Sequence, residues 1–304
     1  MSRNEEKHGI GFLGVLIPVV LLVVLVYSGY RFFQELSRYQ EAENAYAEVT
    51  GELIVPAGDS TGETVFPEEE QRTEEPAEAL PAGTEEAAVP AEEETGEEAA
   101  QAPSTEAEKT AKVPYRIDYE GLKQKNAEFV GVISLPEAGI LYPMVQARDN
   151  SKYLTRLFTG EYNPSGAIFV DALAGSGFTD LNTIVFGHNM KNGSMFGSLK
   201  RFSQEEGLAD GACIWIYTKE DGIEKARAYR IFAYGTVKSN THAIYGDGVD
   251  FNEPEAYDAF LAAIRPITHG EAPAEGRPRL LTLSTCFGSK HIDNYIVVGA
   301  EVEE

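Results

Sequence analysis

Residues 279–302 read RLLTLSTCFGSKHIDNYIVVGAEV, two apolar runs of strand length with the turn-like step FGSK between them. The same kind of segment recurs upstream as FVGVISL (129–135), ILYPMV (140–145), GAIFV (166–170), NTIVFG (182–187), ACIWIY (212–217) and YRIFAYGTV (229–237). Eight strand candidates in one domain, with few long helical stretches, predict a mainly β fold closed into an eight-stranded barrel. Two packing helices are expected within it, SMFGSLKRF (194–202) after the fourth strand and PEAYDAFLAAI (254–264) before the seventh. The second carries Tyr257, Phe260, Leu261 and Ile264 at helical spacing. YRIDYEGLKQKNAEF (115–129) reads as a short helix or helix pair opening the domain, which is assigned to residues 114–304 and is long enough for one core.

The N-terminal part is of another kind. Residues 9–30 carry no charge and centre on IGFLGVLIPVVLLVVLVY, a transmembrane helix by length that tolerates Pro18. No A-x-A site follows, so the run reads as an anchor and not a cleaved signal peptide. Tyr27, Tyr30, Phe32 and Phe33 make an aromatic girdle at its end. Arg3 and Lys7 before it are offset by Glu5 and Glu6, and Arg31 and Arg38 follow it, so charge barely biases its orientation. Residues 31–48 read as a helical continuation with Phe33, Leu36 and Tyr39 on a shared face. Residues 49–113 are rich in Glu, Ala, Pro, Thr and Gly, and are expected to be a disordered, extended spacer that lets the domain stand off the membrane.

The chain has a formal net charge of −24, and residues 61–110 alone hold 16 Glu against one Arg and one Lys. Such a balance excludes a nucleic-acid surface, which needs concentrated Lys and Arg. Cys213 and Cys286 make neither a disulfide framework nor a zinc pattern, and nothing calls for a metal or another cofactor. Cys213, inside ACIWIY, reads as a buried strand residue. Asp247, Asp250 and Glu253 read as a solvated loop and not a calcium site.

Cys286 ends an apolar strand at a turn, where a sheet can hold a nucleophile at the surface. His188 likewise follows the NTIVFG strand and begins a polar turn. A thiol nucleophile needs an imidazole to take its proton or stabilise the thiolate, and later to protonate the leaving amine. Spacing alone does not make these two neighbours, and His291, five residues after Cys286, is a rival base. His8, His242 and His269 lie in the tail and in connecting segments and read as non-catalytic.

TLSTC (282–286) resembles the nucleophile segment of the class B sortases, cell-wall cysteine transpeptidases of Gram-positive bacteria, and NTIVFGHNMKNGSMFGSLKRF (182–202) resembles their histidine segment. DYEGL (118–122), YPMVQARDNSKYL (142–154) and SGAIFVDA (165–172) are further matches. The resemblance implies a sortase-type barrel with N-terminal helices and a helix before the seventh strand. It also implies Cys286 as nucleophile and His188 as its partner. Such an enzyme cleaves a C-terminal sorting signal of secreted proteins through a thioacyl intermediate, and a peptidoglycan precursor or other amine takes the acyl group. It implies residues 1–8 as a cytoplasmic tail and the catalytic domain outside the cell on a single-pass anchor in the bilayer.

The resemblance breaks at one place. Sortases carry a catalytic arginine on the strand after the nucleophile, and no arginine follows Cys286 here. Matching on the IVV run puts Asn294 or Tyr295 at its position, and strand alternation lets only one point inward. Lys290 and His291 are the nearest substitutes, with Arg201, Arg230, Arg277 and Arg279 further away. Ser284 and Thr285 are expected to offer substrate contacts, and Asn189 a substrate contact or, with Ser194, the shape of its turn. Asp171 reads as a strand-end turn former. Two alternatives stay open, a cysteine endopeptidase using water and a degenerate surface binding domain.

Overall fold

The computed structural model describes residues 12–57, 115–246, 249–273, 276–287 and 292–302. The expected tail, most of the acidic segment, Asp247, Lys290 and His291 lie outside the described residues.

Helix α1 (Phe12–Leu53) is continuous over 42 residues, about 63 Å at the usual rise. From Leu16 to Phe33 its large apolar side chains are exposed, and the run is long and apolar enough to cross a membrane. Farther along, Ala42, Tyr46 and Val49 recur at helical spacing and are buried against the barrel. The helix therefore runs past residue 48, and β1 (Ile54–Pro56) follows it, paired antiparallel with β2 (Tyr115–Ile117). This corrects the expectation that residue 49 opens a spacer: Val49 and Ile54 are core residues that the surrounding Glu, Gly and Pro mask in any composition average. Because Pro56 lies opposite Tyr115, the chain returns where it left. Helix α1 itself joins the apolar run to the barrel.

The segment expected to be a short helix or helix pair holds one short helix, preceded by β2. Only Tyr119–Lys125 is helical (α2), with Asp118 capping it by accepting from Gly121 N at 2.9 Å. The barrel strands are β3 (Phe129–Leu135), β4 (Ile140–Val145), β5 (Ile168–Val170), β6 (Asn182–Phe186), β7 (Cys213–Glu220), β8 (Ile223–Lys238), β9 (Leu280–Phe287) and β10 (Asp293–Val302). They close in the order β10-β8-β7-β3-β4-β5-β6-β9 and match the eight runs of the sequence. Pairs β4–β5 and β6–β9 are parallel. A bulge at Val298/Gly299 bends β10 against β8, where a Cβ on Gly299 would stand 2.7 Å from the Tyr229 carbonyl oxygen.

Strands β9 and β10 are apolar on both faces because both are covered. Leu281, Leu283, Tyr295 and Val297 join the larger core, while Leu280, Ile296 and Val298 join a second one under α3 (His242–Tyr245) and α4 (Pro254–Ile264). Helix α4 has the bounds read from the sequence, and buries Tyr257, Phe260 and Ile264. SMFGSLKRF departs from expectation: only Leu199–Ser203 is helical, as a 3-10 segment burying Leu199 and Phe202.

Candidate active site

The parallel pairing of β6 with β9 decides the site. Its register runs from Asn182↔Leu280 to Phe186↔Ser284, and Gly187 N donates to the Ser284 carbonyl at 3.2 Å. His188 and Cys286 each stand two residues beyond the last pair, at the same end of neighbouring strands. On the other side of β9, the antiparallel β10 sets Asn294 directly opposite Cys286. His188, Cys286 and Asn294 thus meet at one end of the barrel.

His188 is half-buried, and its Nε2 lies 2.7 Å from the Leu154 carbonyl oxygen. A carbonyl only accepts, so Nε2 carries the hydrogen and Nδ1 is the nitrogen able to take up a proton. The segment presenting Leu154 is pinned from several sides. Glu128 accepts from Tyr153 OH at 2.6 Å and from Lys152 Nζ at 2.5 Å. Tyr46 of α1 donates to the Gly166 carbonyl at 2.9 Å and accepts from Phe158 N at 3.2 Å. Gly166 is at φ +62°, and a Cβ there would meet Tyr153 O at 2.5 Å and His188 Cδ2 at 2.9 Å. Only glycine fits behind the imidazole.

The turn after His188 is fixed as well. Asn189 is bridged to Met195, Ser194 Oγ donates to Asn192 Oδ1 at 2.8 Å, and Asn192 Nδ2 donates to Glu43 of α1 at 2.5 Å. Asn189 and Ser194 are not among the described residues that line the cleft beside this turn.

That cleft, about 210 Å³, is lined by His188, Ser284, Thr285 and Asn294 together with Asn150, Leu154, Phe169, Phe186 and Gly187. Ser284 Oγ lies 2.8 Å from Tyr245 OH, which ties α3 to the site. Thr285 Oγ1 is buried with no hydrogen-bond partner among the described residues. Tyr295 is on the opposite face of β10, buried, with its OH 2.6 Å from Ser203 Oγ, and burial raises its pKa above the usual phenol value. Of the two residues left open by the sequence, Asn294 is the one at the site.

Among the described residues that line it, the cleft holds no lysine or arginine. Arg279 bonds Glu301 and Thr179 O, Arg277 bonds Asp258, and Arg201 bonds Glu205 and Glu137 O. Arg230 is exposed on β8 between Cys213 and Ala300. A larger groove of about 620 Å³ shares Asn150 and Phe186 with the cleft and continues past Ile184, Ile244 and Tyr245 to Asp180 and Asp250. Asp171, at its rim, accepts from Leu173 N at 3.0 Å and Asn150 Nδ2 at 3.2 Å, as a strand-end turn former does. Cys213 is only half-buried, at the first position of β7. His269 stacks on Tyr234 at 4.0 Å, and His242 begins α3; neither lines the cleft.

Sequence reasoning missed Leu154 and Gly166 as the backbone supports of His188, and Tyr46 as their anchor. Leu154 and Gly166 left a trace, inside the YPMVQARDNSKYL and SGAIFVDA matches, and Tyr46 left none.

A closed barrel with a histidine and a cysteine just past the paired ends of neighbouring strands β6 and β9 is the arrangement to be compared with known proteins. The sortase domain model matches residues 133–302, and the chain belongs to the sortase family. Sortase B of Listeria monocytogenes is 28% identical over 177 residues, covering 58% of this chain and 69% of that protein. Sortase B of Staphylococcus aureus is 27% identical over 176 residues, covering 56% and 68%. The X-ray structure of Clostridium perfringens sortase B superposes with a TM-score of 0.53 at 27% identity, covering 60% of this chain and 99% of that one. Within the family the chain is thus of class B, a cysteine transpeptidase.

Proposed function

We propose that Cys286 is the nucleophile and His188 its acid–base partner in the cleavage of a C-terminal sorting signal and transfer of the acyl group to a cell-wall amine. The observation carrying this reading is the β6–β9 register, which ends both strands at one cleft.

The Cys286 thiolate attacks the scissile carbonyl carbon; a C–S bond forms and the π pair moves to oxygen. Collapse of the adduct breaks the C–N bond, and the leaving amine takes a proton from the His188 imidazolium. An incoming amine then attacks the thioester, gives its proton to His188, and expels the thiolate as the new amide forms. Asn294 supplies a neutral N–H toward the developing oxyanion, where family members use a charged arginine. The larger groove, with its apolar wall of Ile184, Ile244 and Tyr245, receives the rest of the signal peptide. Residues 9–30 anchor the enzyme in the cell membrane, with the tail 1–8 inside and the barrel outside.

The test uses the full chain in detergent beside Cys286→Ala, offered Asn-Pro and Leu-Pro peptides with a peptidoglycan-type amine and followed by mass spectrometry. A Cys286-dependent thioacyl adduct and amide product are expected. Cleavage without amide across several amines points instead to an endopeptidase. The absence of a cation among the described cleft residues favours a second reading, a non-catalytic peptide-binding domain. Peptide binding without any adduct in the same assay would establish it.

A further inference from the structure

A cavity of about 280 Å³ lies between α1 and the loop at residues 163–165, just past the apolar half of the helix. Arg31, Gln34, Glu35 and Arg38 line one wall, the last three standing three, four and seven residues past Arg31, which keeps them on one helix face. Asn163 and Ser165 line the other, both buried, and Asn163 Nδ2 locks the loop to α1 by donating to the Arg38 carbonyl at 3.0 Å. We propose that this cavity binds the phosphodiester headgroup of an anionic membrane lipid.

Place is the first argument, and it rests on the apolar half of α1 lying in a bilayer. Residues 9–30 carry no charge, so Arg31 is the first charged side chain past the apolar run. Arg38 is seven residues further, about 10 Å along the axis. A headgroup layer is roughly 5–8 Å deep on each side of a bilayer. Two arginine side chains cover that depth, since their long stems let the charged ends move toward phosphate.

Charge is the second. The chain carries −24 overall, and Arg201, Arg227, Arg277 and Arg279 each hold a carboxylate. Arg31 and Arg38 have no ion pair among the described residues, although they share a cavity with Glu35. The Glu35 carboxylate is engaged by Tyr39 OH, which donates to it at 3.0 Å. Two guanidiniums against one carboxylate leave a net +1, the complement of one phosphodiester. The planar guanidinium is also the side chain that binds phosphate oxygens in pairs.

The experiment embeds the full chain in nanodiscs of equimolar phosphatidylcholine and phosphatidylglycerol, releases it gently and counts retained lipid by native mass spectrometry. Phosphatidylglycerol is expected to be retained in preference to phosphatidylcholine. Arg31→Gln/Arg38→Gln should reduce retention about thirtyfold, each cation near a charged surface contributing roughly fivefold. Arg31→Lys/Arg38→Lys should keep part of it, and Arg116→Gln/Arg156→Gln, outside the cavity, should keep all. Equal retention by the Arg31→Gln/Arg38→Gln protein overturns the site, with far-ultraviolet circular dichroism checking that it is folded. Equal retention of phosphatidylcholine, or of phosphatidylethanolamine in a matched disc, overturns selection by charge. Release of the lipid by millimolar inorganic phosphate would make the ligand a free anion and overturn the lipid assignment.

Discussion

Cys286 and Asn294 are directly paired across β9 and β10, with Asp293 opposite Phe287 setting the register. Paired residues of an antiparallel ladder share a face, so the position opposite the cysteine belongs to a neutral carboxamide that lines the cleft. A carboxamide N–H aimed at an oxyanion is weaker than a guanidinium but needs no counter-charge in an acidic protein. Asn294→Ala is expected to lower kcat about 100-fold, the usual scale for one oxyanion donor, with KM little changed. Steady-state kinetics on a cleaved peptide would measure this, and an unchanged kcat would remove Asn294 from the reaction. Asn294→Arg should recover or exceed the native kcat.

Tyr295 provides the counterpart. Its hydroxyl lies within hydrogen-bonding distance of Ser203 on the far face of β10. Tyr295→Phe should cost about 1 kcal/mol of stability, the net worth of one hydrogen bond, and leave kcat as it is. A thermal melt beside a kinetic assay separates the two effects. A large fall in kcat without a fall in melting temperature would contradict the assignment of faces.

How much of this was legible in the sequence follows from what each pattern depends on. The eight strands could be read because β9, β10 and their neighbours are covered on both sides, which leaves long apolar runs. Helix α4 could be read because Tyr257, Phe260 and Ile264 sit on one buried face. The meeting of His188 with Cys286 could not, because β6 and β9 are parallel and joined through β7, β8 and two helices, a connection no spacing reveals. Nor could the choice between Asn294 and Tyr295, since one residue more in the turn would have exchanged them. The docking of α1 was hidden for a simpler reason: Ala42, Tyr46 and Val49 are diluted by glutamates at 41, 43 and 48.

Gly166 tests the support of His188. A methyl group there would overlap the Tyr153 carbonyl and crowd the imidazole edge, at a φ that alanine disfavours. Gly166→Ala should cost about 1–3 kcal/mol from strain and overpacking. It should also lower kcat at temperatures where the protein is fully folded. Urea unfolding beside kinetics would show both, and a destabilised protein with native kcat would mean that the imidazole tolerates the displacement.

Helix α1 is part of the domain. Tyr46 is fully enclosed, stands edge-on to Tyr142 at 5.2 Å, and makes two hydrogen bonds to the segment that carries Leu154 and Gly166. Burial drives its phenol far above the ordinary pKa, so it stays a neutral donor and acceptor. Tyr46→Phe strands the Gly166 carbonyl and Phe158 amide, at about 1–3 kcal/mol each where water cannot replace the hydroxyl. A chain beginning at residue 111 should therefore melt lower and react more slowly than one beginning at residue 34. Equal melting temperatures for the two would show that the barrel does not need α1.

Acid should act first on the same segment. Burial alone would raise the Glu128 carboxyl, but Lys152 and Tyr153 outweigh it and hold it below the usual glutamate range. A group depressed in the folded state adds stability above its unfolded pKa, about 4.3, and loses it as pH falls through the folded value. The clasp around Leu154 should therefore loosen below about pH 4 and not near neutrality. Glu128→Gln, which keeps a hydrogen-bond acceptor but no charge, should flatten that acid limb in a melting-temperature profile between pH 3 and 6, roughly the span of the carboxylate titration. The variant should also melt lower than the native protein at pH 7, where the native carboxylate is ionised and paired with Lys152. If the acid limb persists unchanged in Glu128→Gln, other carboxylates set it, and the Lys152–Glu128 pair is a surface contact of little consequence.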